Sequence, residues 1–341
     1  MKAVINVLIV EDSATIYTFL QHVLQSQPDI NVIGWAKNGQ EAIEKNQLLQ
    51  PDLILMDFHL PILNGLEATR QIMTIQPTPI IICSATSDPN DISLSLEALR
   101  CGAMALIEKP ATTPKAIAAK STQHMLKLIR ALSEVKTVRL RAQPQPAEIK
   151  PTFPNTRYKL VVIAASTGGP QALALLLAKL TKAFPVPLLL VQHIGEEFCH
   201  GFVSWLEDIT KINVKTAQSG EPVQAGTLYV APAGHHLGIN QAGHLFLSDA
   251  PPLSGFRPSA DFTFSTAATA YGNELAAIIL TGMGEDGVNG LRQVQRHGGF
   301  VIAQNNETSV VYGMPRAAQL AGVVNEVMSL QQIEQWLLRL Q

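Results

Sequence analysis

LVVIAASTGGP, residues 160–170, runs from an unbroken apolar stretch into a cluster of small residues. Six apolar residues rich in β-branched side chains read as a buried strand, four small residues follow as a tight turn, and QALALLLAKL (171–180) has helical apolar spacing. Pro170 suits the first helical turn, where a missing N–H leaves no hydrogen bond unmade. A strand that breaks directly into a helix leaves Ser166 on the turn, its hydroxyl exposed beside the N–H groups of the helix start. The spacing is that of a nucleophile elbow, with Ala164 in place of the first Gly of G-x-S-x-G. Taken alone, ASTGG would equally cradle a phosphate.

What lies downstream favours a nucleophile. The strand PLLLVQH (187–193) delivers His193, 27 positions after Ser166, about the length of one strand–helix–strand crossover. A later strand, AAIILTG, runs into Gly282-Met283-Gly284-Glu285-Asp286-Gly287 and brings Asp286 to another strand end. A serine needs a base to take its proton, and a neutral histidine serves best when a carboxylate fixes its tautomer. The chain order Ser, His, Asp differs from the Ser, Asp, His of α/β-hydrolases, so a convergent triad is expected. The ordinary alternatives are a structural His193 and an Asp286 that caps the helix DGVNGLRQV. Glu285 competes for the orienting role, but Asp286 lies between glycines at the helix start and is preferred. His235-His236 have no third partner at metal-ligand spacing and are assigned to a loop.

Around these motifs the pattern is α/β. TLYVAP and GFVIAQ are further strands, 170–182, 198–209, 259–271, 286–297 and 330–340 are helices, and HLGINQAGHLFLSD alternates about a turn as a β-hairpin. Nineteen of the 23 glycines lie at position 168 or beyond, the composition of tight loops at parallel strand ends. The expectation is a Rossmann-like domain over 158–341. Upstream, PQPAEIKPTFP (144–154) carries four prolines and no glycine, a stiff connector within a linker over 138–157.

Residues 1–137 alternate strands VINVLIV, INVIGWA, LILMD, PIIICS and MALIE with helices at 13–26, 38–50, 64–75, 90–101 and 112–136. Near-continuous apolar strands separated by amphipathic helices describe a doubly wound parallel sheet of flavodoxin-like type. Glu11 and Asp12 follow the first strand and Asp57 ends the third, so three carboxylates meet at one sheet edge. Such a cluster repels itself unless a cation neutralises it, and its oxygen donors suit Mg²⁺. Ser84 and Lys109 end the fourth and fifth strands, where a hydroxyl and an ammonium suit phosphoryl oxygens. Any one of these residues is ordinarily a cap or a solvated acid; five at the ends of the first, third, fourth and fifth strands point to a pocket.

Composition narrows the class. The chain has 341 residues, 47% hydrophobic against 15% charged, with mean hydropathy +0.16, which suits two well-packed domains and excludes global disorder. The net charge is −2, with 11 basic against 13 acidic residues before the linker, 4 against 1 within it, and 10 against 13 after it. Without a basic stripe, nucleic acid is not expected as a partner. No apolar run reaches the roughly 18 to 20 residues of a membrane span, and acids follow too soon for a signal peptide, so a cytoplasmic protein with no membrane insertion is expected. Cys83, Cys101 and Cys199 lack metal or disulfide spacing.

Two resemblances sharpen the reading. Glu11-Asp12, Asp57 with HLPILNG, Ser84-Ala85 and GAMALIEKP resemble the receiver domain of two-component response regulators over about 5–132. This implies that Asp57 accepts a phosphoryl group from a histidine kinase, that Glu11, Asp12 and Asp57 hold Mg²⁺, and that Ser84 and Lys109 contact the phosphoryl group. Leu106 stands where many receivers carry an aromatic switch residue. His59, beyond Asp57, either tunes the phosphoryl lifetime or is an exposed loop histidine.

The whole chain resembles the chemotaxis response regulator protein-glutamate methylesterases, the CheB family. The motifs are AASTGGP (164–170), VQH (191–193), YVAPAGHH (229–236), RPSAD (257–261), LTGMGEDG (280–287) and IAQNNETSVVYGMPRAA (302–318). The resemblance implies a serine nucleophile at Ser166, a general base at His193, an orienting Asp286, and an oxyanion held by the N–H groups of Met283 and Thr167. It implies methyl-accepting chemotaxis receptors as substrates, glutamine deamidation as a further activity, no cofactor in the esterase domain, and a receiver that covers the hydrolase site until phosphorylated. Ala164, Gly195, Phe256 and Ala317 depart from the family pattern, the last two in segments of receptor contact. The competing readings are a catalytically silent docking module gated by phosphorylation and a receiver-coupled transcription regulator, the latter disfavoured by an acidic second domain with no basic recognition helix.

Overall fold

The computed structural model of the chain describes residues 4–84, 89–109, 120–133, 135 and 158–340, with side chains left out at 89–94 and 120. The chain divides into two compact units, 1–149 and 150–341. The linker expected over 138–157 and the first part of the helix expected from 112 lie outside the described residues.

The first unit runs β1 (Ile5–Val10), α1 (Ala14–Gln25), β2 (Ile30–Ala36), α2 (Gly39–Leu49), β3 (Leu53–Asp57), α3 (Gly65–Ile75), β4 (Ile80–Ser84), α4 (Pro89–Arg100), β5 (Ala105–Glu108) and α5 (Lys120–Leu132). Its sheet is parallel in the order β2-β1-β3-β4-β5. Every residue of β3 and β4 is buried, because helices cover both faces of a doubly wound sheet. The starts of α1, α2 and α3 are set by Ser13, Asn38 and Asn64, whose side chains accept the free N–H of Ile16, Glu41 and Glu67.

The second unit runs β6 (Leu160–Ala165), α6 (Gly169–Leu177), β7 (Leu188–Gln192), α7 (Glu196–Ile209), β8 (Asn213–Thr216), β9 (Thr227–Val230), β10 (His236–Ile239), β11 (Leu245–Ser248), α8 (Ala260–Tyr271), β12 (Leu275–Ile279), α9 (Val288–Arg296), β13 (Phe300–Gln304), α10 (Met314–Leu320), β14 (Glu326–Met328) and α11 (Leu330–Leu338). Seven strands pair in the parallel order β14-β13-β12-β6-β7-β9-β8, and β10 and β11 form the expected antiparallel hairpin. The strand at the centre is β6, all six of its residues buried, and the chain crosses from one half of the sheet to the other beside it. That topological switch point is where open α/β sheets leave a crevice at the carboxyl ends of their strands.

Three elements were not expected from the sequence: β8, β14 and α10. NVKT and EVM are edge strands of four and three residues, each with polar residues among them, so neither contains an apolar run long enough to read as a strand. His236 is a correction. It is fully buried at the start of β10, not in a loop, because its two ring nitrogens meet the Ser259 N–H and the Pro251 carbonyl.

Candidate functional site

The turn after β6 is held by Thr281, which Gln304 holds in turn. Ser166 N–H donates to the Thr281 carbonyl (3.0 Å), the Thr281 hydroxyl donates to the Thr167 carbonyl (2.9 Å), and Gln304 Oε1 accepts the Thr281 N–H (2.7 Å). Gly282 must be glycine, because a Cβ there would lie 2.7 Å from the Ser166 Cβ. Gly168 adopts φ +76°, the left-handed conformation that turns the chain into α6. Ser166 is thereby nine-tenths buried, and among the described residues no hydrogen bond engages its hydroxyl.

His193 follows β7 on the neighbouring strand, its N–H donating to the Ala165 carbonyl (2.9 Å). The side chain of Gln192 ties the two strand ends, since its Nε2 donates to the carbonyls of both Ser166 and His193 at 2.9 Å. The His193 ring turns Nε2 to Asp286 Oδ2 at 2.9 Å. Its Nδ1 is buried and has no hydrogen-bond partner among the described residues. A neutral ring that donates from Nε2 has its lone pair at Nδ1, the nitrogen free to accept a proton.

Asp286 is 1% exposed and saturated with donors: Ser259 Oγ (2.6 Å), Ala260 N–H (2.7 Å) and Asp261 N–H (3.2 Å) besides His193. Burial pushes its carboxyl up, but the His193 hydrogen bond and charge, with the Ser259 and Ala260 donors, outweigh it and hold Asp286 below the usual carboxylate range. Asp286 does not cap its own helix α9. It caps α8, and Asp261 in the first turn of α8 returns the service by accepting the N–H groups of Gly287 (3.0 Å) and Gly290 (2.8 Å). Glu285 is exposed. Phe256 lies flat on the His193 imidazole, centroids 4.1 Å apart at an interplanar angle of 7°.

Of the residues expected at this site, the structure brings His193 and Asp286 into contact and sets Ser166 at the adjoining strand end. The N–H groups of Thr167 and Met283 have no partner among the described residues. Gln192, Phe256, Ser259 and Asp261 were not assigned roles from sequence, although all four lie in or beside quoted motifs; a motif does not name the partner of each member.

The first unit holds a separate polar pocket. Oxygen atoms of Glu11, Asp12 and Asp57 lie within 4.8 Å of one another, with Glu11 and Asp57 buried and Asp12 exposed. Lys109 Nζ bridges Glu11 (2.9 Å) and Asp57 (2.7 Å). Burial, then the neighbouring charge of Asp57, pushes Glu11 up; burial pushes Asp57 up against the opposing pull of Lys109. Burial pulls Lys109 down, but its two carboxylate partners outweigh it and raise it. Buried carboxylates that resist ionisation, with hard oxygen donors around one point, fit a divalent cation such as Mg²⁺. Ser84 is buried and accepts a hydrogen bond from Ser95 (3.3 Å). His59 is exposed, and its N–H donates to Asp57 Oδ1 (3.2 Å).

Residues 161–337 match the CheB methylesterase family, and residues 7–120 match the response regulator receiver domain family. A protein-glutamate methylesterase/protein-glutamine glutaminase of Myxococcus xanthus is 42% identical over 96% of this chain and 94% of its own length. One from Thermotoga maritima is 38% identical over 99% and 98%. The crystal structure of the Thermotoga maritima CheB methylesterase catalytic domain is 39% identical, covering 54% of this chain and 99% of that one with a TM-score of 0.52. Among the described residues no helix is long and apolar enough to cross a membrane.

Proposed function

Because the chain belongs to the CheB methylesterase family and carries a response regulator receiver domain, we propose that it is a protein-glutamate methylesterase and protein-glutamine glutaminase of chemotaxis, working through Ser166, His193 and Asp286. The observation that carries this reading is the His193–Asp286 contact at 2.9 Å with Nδ1 left free, beside the strand end that bears Ser166.

His193 takes the Ser166 hydroxyl proton at Nδ1 as Oγ attacks the γ-carbonyl carbon of a glutamyl methyl ester on a methyl-accepting chemotaxis receptor. The protonated ring is stabilised by the Asp286 carboxylate, whose donors hold it ionised. The carbonyl oxygen becomes an oxyanion and accepts the N–H groups of Met283 and Thr167, each donor of this kind contributing roughly 10²–10³ in rate. His193 then returns the proton to the departing methoxide, releasing methanol and leaving an acyl-Ser166. Water, deprotonated by the same ring, attacks the acyl carbon, and Ser166 and a glutamate carboxylate are regenerated. With a glutamine substrate the leaving group is ammonia and the remaining steps are the same.

In the receiver, Asp57 is the phosphoacceptor for a chemotaxis histidine kinase. Glu11, Asp12 and Asp57 would hold Mg²⁺, which when bound supplies positive charge against the incoming phosphoryl oxygens. Lys109 lies between Glu11 and Asp57 and can follow the phosphoryl group, and Ser84 can exchange its Ser95 partner for a phosphoryl oxygen. Phosphorylation relieves inhibition of the esterase to the extent that it favours one arrangement of the two units.

The test is methanol release from methylated receptor membranes by the full chain, with and without a small phosphodonor and Mg²⁺, beside Ser166→Ala. Release that rises with the donor and vanishes in the variant is expected. No release, even from residues 158–341 alone, would replace the enzyme with a docking module; equal rates of full chain and fragment, both unphosphorylated, would remove the inhibitory gate.

A further inference from the structure

One short segment, 253–261, touches both halves of the His193–Asp286 pair. Its downstream end supplies the Ser259 hydroxyl and the Ala260 and Asp261 N–H groups to the Asp286 carboxylate. Its upstream end is a two-residue turn. Leu253 and Phe256 exchange both backbone hydrogen bonds, at 3.1 and 2.8 Å, and the residues between them, Ser254 and Gly255, both have positive φ (51° and 86°). Positive φ at both central positions defines a type I′ turn, a tight and conformationally narrow connection. The turn is anchored behind by Arg257, whose guanidinium donates to the carbonyl of Asp249 (3.2 Å), and by the buried His236, which meets the Pro251 carbonyl (3.2 Å). From this frame Phe256 covers one face of the His193 ring at 4.1 Å and 7°.

We propose that Phe256 is a positioning residue for His193: the I′ turn presses its ring onto the imidazole and so keeps Nε2 on Asp286 and Nδ1 free for the proton of Ser166. An imidazole has two rotatable bonds, and a single hydrogen bond at Nε2 leaves the plane of the ring free to swing about it. A parallel aromatic face removes that freedom, at the near-van der Waals separation where stacked rings attract. It also shields the ring from water on that side. Small misplacements of a catalytic group reduce rate sharply while leaving substrate affinity intact. The inference rests on the reading of His193 as the base.

The test uses the full chain with Phe256→Leu, which keeps apolar bulk but loses the planar face, and Phe256→Tyr, which keeps the face. Three readouts are compared: kcat and KM for methanol release, the rate at which a small fluorophosphonate modifies Ser166, and the NMR signal of the His193 ring proton bonded to Asp286. The fluorophosphonate makes no receptor contact, so it reports only the competence of Ser166 and His193. In Phe256→Leu, kcat and the Ser166 modification rate should fall together, about tenfold, with KM within about twofold of wild type and the ring proton broadened. Phe256→Tyr should restore all three. An unchanged modification rate with a raised KM would overturn the proposal and make Phe256 a receptor contact. Absence of Ser166 modification in the wild-type chain would instead overturn the assignment of the site, and the proposal with it.

Discussion

Asp261 and Asp286 exchange helix caps. Each stands at or just before the start of one helix and accepts the free N–H groups of the other, Asp286 those of Ala260 and Asp261 at α8, Asp261 those of Gly287 and Gly290 at α9. The exchange locks two helix N-termini together and leaves one Asp286 oxygen shared between α8 and His193.

The two aspartates should respond differently to loss of charge. Burial first, and then the neighbouring Asp286 charge, pushes Asp261 up, while its role needs only an acceptor. Asp261→Asn keeps a carbonyl oxygen for Gly287 and Gly290 and removes like-charge repulsion, so its stability should stay within about 1 kcal/mol of wild type. Asp261→Ala leaves buried N–H groups unpaired and should lose about 1–3 kcal/mol. Urea unfolding of the full chain, followed in the catalytic-domain transition, measures both; equal losses would show that the cap contributes nothing.

Acid should loosen the second domain through Asp286. Its folded pKa lies below the ordinary value, so its contribution is present above the unfolded pKa of about 3.9 and disappears as pH falls through the lower folded value. Asp261 acts in the opposite sense, its raised pKa meaning that stability is recovered as it takes up a proton. Asp286→Asn should therefore flatten the acid limb of the stability profile below about pH 4, and should lower kcat by about 10³–10⁴ because the ring loses its orienting carboxylate. A variant with unaltered kcat would mean that another group orients His193.

Gln192 should prove as sensitive as a catalytic residue without touching substrate. Its amide N–H groups bridge the Ser166 and His193 carbonyls, and Gln192→Glu would set a carboxylate oxygen against both. Gln192→Leu takes the side-chain donor from both carbonyls, the Ser166 carbonyl keeping only the Gly169 N–H (2.8 Å), a loss of about 1 kcal/mol. In either variant kcat should fall with KM little changed, because the spacing of Ser166 and His193 is set there. A variant that alters only KM would place Gln192 in substrate binding.

In the receiver, Lys109→Met removes the ammonium that bridges Glu11 and Asp57 at 2.9 and 2.7 Å. Breaking a buried pair of this kind should lower receiver stability near neutral pH by about 3 kcal/mol. Both carboxyls titrate above their ordinary range, so the loss should be recovered as pH falls through those raised values and the acids take up protons. Added Mg²⁺ should raise the receiver melting temperature in the wild type, by about 2.7 kcal/mol equivalent at a hundred times Kd, and Asp57→Asn should reduce that response. No response to Mg²⁺ in the wild type would contradict the cation site.

Apolar runs bounded by small residues located the strands at the centre of both sheets, because a strand buried on both faces must be apolar throughout. That Ser166, His193 and Asp286 in one unit and Glu11, Asp57, Ser84 and Lys109 in the other stand at carboxyl ends of strands was therefore legible, although that β12 lies beside β6 and β3 beside β1 is a matter of topology, not of chain order. The edge strands β8 and β14 were not legible, because a short strand exposed on one side has no apolar run to betray it.

The partner of each side chain follows from packing between elements far apart in the chain. The ordinary alternative for Asp286 was to cap its own helix, and packing gave that helix to Asp261 and Asp286 to α8 and His193. His236 looked like part of a loop and is a buried strut; Phe256 looked like a departure from a motif and lies on the imidazole. Strand position follows from local periodicity, which is written along the chain. Hydrogen-bond partnership between residues such as Ser259 and Asp286, 27 positions apart, depends on which helices pack together, and that is settled by the fold as a whole.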